Sequence, residues 1–271
     1  MLTAKPTPFQ TLAVLSIVLA AITVIWGFIE SRMVDGASVW MKPLKFSLSF
    51  ALLFATIGLV EARLSATVRD GWLLRITSWI MAAAFLSEMA YIFLQGARAE
   101  TSHFNVSTPF NEFMYTVVMG AGAVALVAAI GFIGWMVKRD CGADLSPALR
   151  ESIWLGFMIS FVLTMIVAGY LGGAGGHYVG VHPNGAPTVP FFGWSGVTGD
   201  LRPAHFFSLH AMQVLPLLAL LLDRCKKIKP VKIIRFAALG YTSVTIGVFA
   251  LAIAGLPFIP LTKILVLLEI P

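Results

Sequence analysis

Seven long apolar runs dominate the chain, separated by short polar stretches. They cover about 9–29, 43–62, 74–96, 113–137, 152–173, 203–223 and 233–256. Each reaches the roughly 20 residues that carry a helix across a bilayer core. The pattern predicts an all-α, polytopic membrane protein: one integral-membrane domain (1–271) built as a seven-transmembrane-helix bundle. The apolar tail Leu261–Ile270 is too short to span. It is expected at the interface or folded back on the bundle. The first run is too long for a signal h-region and no small-residue cleavage site follows it, so it reads as a span.

Composition agrees. The chain is 58% hydrophobic and 12% charged, with a mean hydropathy of +0.88. Its net charge of +6 does not signal nucleic-acid binding, because basic residues in such a chain mark cytoplasmic loops. The N-terminus and loops 2–3, 4–5 and 6–7 carry 13 of the 19 Lys and Arg, and the opposite set carries 6. The expected topology is therefore N-terminus cytoplasmic and C-terminus extracytoplasmic, in the inner (plasma) membrane. Cys141 and Cys225 form no CxxC pair and support neither a disulfide framework nor a thiol redox motif.

Small residues recur every four positions in two spans: Ala121, Ala125 and Ala129, and Gly156, Ser160, Thr164 and Ala168. That spacing lets helices approach closely in lipid, so both read as packing elements. The loop between spans 5 and 6 is long. It runs from Gly172-Gly173-Ala174-Gly175-Gly176 through His182-Pro183-Asn184-Gly185 to Trp194. Loops of that length are usually functional or disordered. Its aromatics, Tyr178, Phe191, Phe192 and Trp194, favour a lid lying on the bundle. Its glycines lack the lysine and the strand of a phosphate loop. Gly193-Trp194-Ser195-Gly196 sits in a loop and not in the strand-to-helix elbow of a serine hydrolase.

Polar residues inside apolar spans point to function, because burying them in hydrocarbon is costly. Glu88 is the one acid well inside a span, and Tyr91 and Gln95 share its helix face at i+3 and i+7. The sixth span opens on Asp200, Arg202 and Pro203, with a carboxylate and a proline placed as at a helix start. It then carries His205, His210, Gln213 and Pro216. Pro216 lacks an N–H and is expected to kink this helix. Counting about 1.5 Å per residue puts Glu88 and His210 roughly 10–12 Å below the same outer boundary. A shared, outward-facing polar well is the expectation, lined by spans 2, 3 and 6 and covered by loops 3–4 and 5–6.

Histidine with carboxylate is a usual ligand set for zinc, iron or copper. The candidate metal ligands are Glu88, His103, His205 and His210, with His177 or His182 supplied by the lid. Glu88 and His210 form the expected catalytic pair. His205 and His210 are five apart, whereas a helix presents two ligands to one metal at i+3 or i+4; a haem near the outer surface, between His103 and a span 6 histidine, is the other form of this site. Lys45, Tyr91, Gln95, Asn105, Asp200, Arg202 and Gln213 are the expected ligand-binding residues. Lys45 would counter Glu88 or meet an anionic ligand if it does not simply snorkel with Lys42. The function expected is metal- or haem-dependent redox chemistry on a small or lipid-soluble substrate. A proton-coupled transporter or an extracytoplasmic ligand sensor is the alternative, with Glu88 as the proton site. A structural or assembly subunit would not need the deep polar cluster.

Overall fold

The computed structural model describes residues 6–224 and 230–261. Lys5, Cys225, Lys226, Lys227, Lys229 and the tail beyond Leu261 lie outside the described residues. The fold is all-α. Among the described residues seven helices are long and apolar enough to span a membrane: α1 Pro8–Ile29, α2 Met41–Glu61, α3 Trp72–Arg98, α4 Pro109–Arg139, α5 Pro147–Gly173, α6 Leu201–Leu222 and α7 Pro230–Ile253. This is a multi-pass membrane protein. Leu59, Trp79 and Phe236 sit on these helices 73%, 71% and 74% exposed, where water would disfavour them and lipid would not.

Local sequence explains where the helices begin. Thr7 forms a full capping box with Gln10 ahead of Pro8. Thr108 caps α4 ahead of Pro109, and Ser146 caps α5 ahead of Pro147. In each case a hydroxyl accepts an otherwise unpaired backbone N–H, and a proline fills the position that needs none. Asp200 caps α6 by accepting from the Arg202 N–H. α6 remains one helix through Pro216 and does not end there.

The chain divides into two compact units. The first is Met1–Ala129 with Arg139–Asp144, and the second is Ile130–Lys138 with Leu145–Pro271. In the first, α1, α2 and α3 pack through aromatic rings. Phe54 stacks on Phe9 at 6.4 Å and meets Phe85 edge-on at 5.2 Å. The stretch between α1 and α2, read from sequence as a loop, holds a small hairpin with β1 (Met33–Val34) paired to β2 (Ala37–Ser38). Asp35 and Gly36 turn it with φ of 50° and 75°, the left-handed pair that such two-residue turns require. Arg32 ties it to the end of α3 by donating to the Ala97 carbonyl at 3.0 Å.

In the second unit the small-residue stripe on α5 is the seam with α6. A Cβ on Gly156 would lie 2.7 Å from the Ala211 carbonyl oxygen, so only glycine allows this approach. Ser160 donates to the Leu209 carbonyl at 2.8 Å and accepts from the Met212 N–H at 3.1 Å. Thr164 donates to the Ser208 hydroxyl at 3.0 Å. The stripe expected on α4 takes a different course. Ala121 is exposed and only Ala129 is fully buried. The close approaches on α4 are made instead by Gly131 against Phe161 and Gly134 against Phe157. Glycine permits a nearer neighbour than alanine, and the four-residue alanine spacing lies on another face.

Candidate functional site

The sequence-predicted residues fall into the two units. Lys45, Glu88, Tyr91, Gln95, His103 and Asn105 belong to the first; Asp200, Arg202, His205, His210 and Gln213 belong to the second.

In the first unit α3 carries Glu88, Tyr91 and Gln95 on one buried face, 5%, 2% and 0% exposed. Opposite them stands Asn111, in the first turn of α4. Its Oδ1 accepts from the Tyr91 hydroxyl and from Gln95 Nε2, each at 3.3 Å. Its Nδ2 donates to Glu100 and to the Ser107 hydroxyl. Gln95 Nε2 is also within 3.0 Å of the Thr101 carbonyl and 3.4 Å of Glu100. Gln95 Oε1, by contrast, is buried with no partner. Asn105 shapes the connecting loop: it donates to the Thr101 carbonyl at 2.9 Å and accepts the Ser107 N–H and hydroxyl.

Below this network α4 widens into a π-helical turn, Met114–Met119. Such turns are rare and frequent at functional sites. Tyr91, Ile92 and Met119 pack there with Phe46 and Met114. Sequence reading missed this turn; its faint signal is the run Tyr115-Thr116-Val117-Val118, whose branched side chains favour α-helix weakly. Gly122 follows, and a Cβ there would lie 3.2 Å from Glu88 Oε1. Glycine thus leaves room for the carboxyl. No salt bridge includes Glu88 among the described residues. Lys45 is half-buried in the second turn of α2. His103 lies with its ring 5.4 Å from Phe46 and its Nδ1 3.2 Å from the Ser102 hydroxyl.

In the second unit the long loop is built onto the start of α6. Strand β3 (Tyr178–Val179) pairs with β4 (Gly199–Asp200). Asp200, 1% exposed, accepts the Ser195 N–H at 2.9 Å and the Arg202 N–H at 3.0 Å. Its carboxylate also takes Arg202 Nε and Nη2 at 2.9 and 2.6 Å. Arg202 Nη2 reaches the Gly193 carbonyl at 2.7 Å as well, and the guanidinium lies over the Tyr178 ring at 5.2 Å. The other face of the cluster stacks Tyr178 on His182 at 4.1 Å, and His182 Nδ1 is 3.0 Å from the Ser195 hydroxyl. Asp200 and Arg202, expected to meet a ligand, satisfy each other and hold the loop.

Further along α6, His210 Nδ1 is 3.1 Å from Gln213 Oε1. An amide oxygen only accepts, so the neutral ring carries its proton on Nδ1 and presents the Nε2 lone pair. The ring packs on Phe206 at 4.1 Å, within a wall that includes Phe192 and Trp194. His205 Nδ1 is buried with no partner among the described residues. Among the described residues no three His, Cys, Asp or Glu side chains gather closely enough to hold a metal ion. Comparison with protein-family models, with curated proteins and with solved structures finds no match to this chain.

Proposed function

We propose that this membrane protein binds haem through His210 and uses it for redox chemistry on a small or lipid-soluble substrate. The observation that carries the reading is the hydrogen bond from His210 Nδ1 to Gln213. Metal-ligating histidines characteristically donate their second nitrogen to such an acceptor, which fixes the ring and raises its basicity. Haem suits the site better than a bare zinc or copper ion. Its macrocycle supplies four ligands and asks one or two of the protein, and no three-ligand cluster is gathered among the described residues. The rings of Phe206, Phe192 and Trp194 offer the apolar surface a porphyrin needs. His205, with a buried nitrogen that has no partner among the described residues, is the alternative ligand in place of His210, since the two lie five apart on one helix.

The test is iron analysis and an absorption spectrum of the freshly purified protein beside His210→Ala. About one iron per chain and a Soret band are expected, with the band lost in the variant while helix content is kept. A band retained in the variant removes His210. A folded wild-type protein without iron ends the haem reading.

Glu88 and Gln95 favour a second reading. A buried carboxyl two turns from an amide oxygen that lacks a donor among the described residues, both on one face of α3, suits a proton-coupled carrier or a ligand sensor. Ligand uptake or binding would then depend on pH, and Glu88→Gln would abolish that dependence; an unchanged pH profile sinks it.

Under either reading we place the protein in the inner (plasma) membrane, N-terminus in the cytoplasm and C-terminus outside, on the asymmetry of Lys and Arg. A reporter fused to the C-terminus is expected to read as external. A cytoplasmic reading reverses the topology.

A further inference from the structure

At one end of the first unit, the start of α1, the end of α2 and the start of α3, with Pro8 and Leu74, border a half-open cavity of about 130 Å³. That is room for roughly four water molecules at about 30 Å³ each. Glu61, Arg69, Asp70, Arg75 and Ser78 line it. Glu61 is the unusual member. It is 4% exposed, its Oε2 is buried, and that oxygen has no hydrogen-bond partner among the described residues. It is the last residue of α2, where the negative end of the helix dipole disfavours a carboxylate. Burial outweighs Thr7 and the charge of Arg69, which favour the ionised carboxyl in part. Ser78 donates its hydroxyl to the Arg75 carbonyl at 2.8 Å. Arg69 makes a loose pair with Asp70 at 3.5 Å. Arg75 makes no ion pair among the described residues.

The charge pattern selects the ligand. A bare cation would face two guanidinium groups, and a bare anion would face two carboxylates. A short zwitterion satisfies both sides. Its ammonium would donate to Glu61 Oε2, and its phosphate would meet Arg69 and Arg75, which suit phosphate by geometry as well as charge. We propose that this cavity binds a primary ammonium joined by a short chain to a phosphate, as in the head group of an aminophospholipid or in free phosphoethanolamine. Three helix ends meet at the cavity, and helix ends of a spanning bundle lie at the level of lipid head groups. The Glu61 site is independent of the His210 reading.

The test uses the full chain, purified in detergent, in native mass spectrometry and in affinity titrations. The probes are phosphatidylethanolamine, phosphatidylcholine, phosphatidylglycerol and free phosphoethanolamine. Phosphatidylethanolamine is expected to bind at least about tenfold tighter than phosphatidylcholine, whose trimethylammonium cannot donate a hydrogen bond, and than phosphatidylglycerol, which has no cation. Glu61→Gln is expected to remove that preference. Arg75→Gln, on an exposed side chain that the fold does not need, is expected to weaken phosphatidylethanolamine about tenfold. Binding of free phosphoethanolamine as well marks head-group chemistry alone, and binding of the lipid only assigns the source to the bilayer. Equal retention of the three lipids, with no binding of free phosphoethanolamine, overturns the proposal. So does a preference that survives both substitutions in folded protein.

Discussion

The polar residues around Asp200 and those around Gln95 both gather where a loop meets the start of a helix, yet they are satisfied in different ways. Asp200 is matched completely: two backbone N–H groups and a two-pronged guanidinium take its carboxylate. The charges cancel within three residues, and a long loop is fixed as a result. Around Gln95 acceptors outnumber donors. One amide Nε2 faces three acceptors, Glu100, Thr101 and Asn111, while Oε1 on the same side chain has none. A buried acceptor without a donor costs free energy, so this cluster has capacity for a donor from outside, and the Asp200 cluster has none to spare. The difference teaches that charged residues at the mouth of a span can be scaffold, while neutral amides on a helix face carry the open valence.

The largest blow to the Asp200 cluster is Gly199→Ala. A Cβ at Gly199 would collide with the Ala252 carbonyl oxygen on α7, and backbone cannot step aside cheaply. We expect a loss of about 3 kcal/mol, the upper part of the overpacking range, read as a lowered midpoint in thermal unfolding. An unchanged midpoint would show that the strand β4 is not seated as described. Next, Asp200→Asn removes the partner of a mostly buried guanidinium. The expected cost is about 2 kcal/mol, with the loop between Val179 and Trp194 becoming protease-sensitive. Adding Arg202→Gln should restore part of that stability, since the unpaired charge is then gone; a strictly additive double variant would break the claim that the two satisfy each other.

Gln95→Met should be milder. It loses hydrogen bonds that average about 0.6 kcal/mol each within membranes and also removes the orphaned acceptor. A net cost of about 1 kcal/mol or less is expected by chemical denaturation, and a cost equal to that of Asp200→Asn would erase the contrast. The smallest effect belongs to the solvent-exposed pair at the hairpin. Arg32 holds the Glu30 carboxyl down from its ordinary 4.5 to about 2, through contacts as short as 2.6 Å. A lowered folded value means the pair's contribution is complete above 4.5 and is lost as pH falls through about 2. Glu30→Gln should therefore leave stability insensitive to this titration, and a carboxyl resonance titrating near 4.5 would refute the pairing.

Much of the fold was legible in the sequence. Seven runs of bilayer length became seven helices, with ends within a few residues of those expected. Asp200 and Pro203 did mark the start of α6. Gly156, Ser160 and Thr164 did form a close helix seam, because a four-residue repeat of small side chains keeps one face thin whatever it meets. Where sequence reading stopped short, the outcome depended on contacts that hydropathy and spacing do not show. Ala121 and Ala125 had the same spacing as the α5 stripe, but Ala121 is exposed and Ala125 only partly buried. The pair of Arg202 with Asp200, two residues away, was not foreseen because Asp200 had been read only as a helix cap. Glu61 went unremarked because a carboxylate at the end of a span usually reaches water.

The chain by itself determined the class of protein, the number and limits of its helices, and which polar residues lie inside apolar spans. Hydropathy, proline and capping hydroxyls are properties of a segment and its immediate neighbours, and they act before any helix finds another. Tertiary structure alone decided which of those polar groups are satisfied. Hydrogen-bond satisfaction is a matter of ångströms and orientation, which spacing along the chain does not give: it matched Asp200 to Arg202 and Ser195, and among the described residues it left one oxygen of Gln95, Nδ1 of His205 and one oxygen of Glu61 without partners.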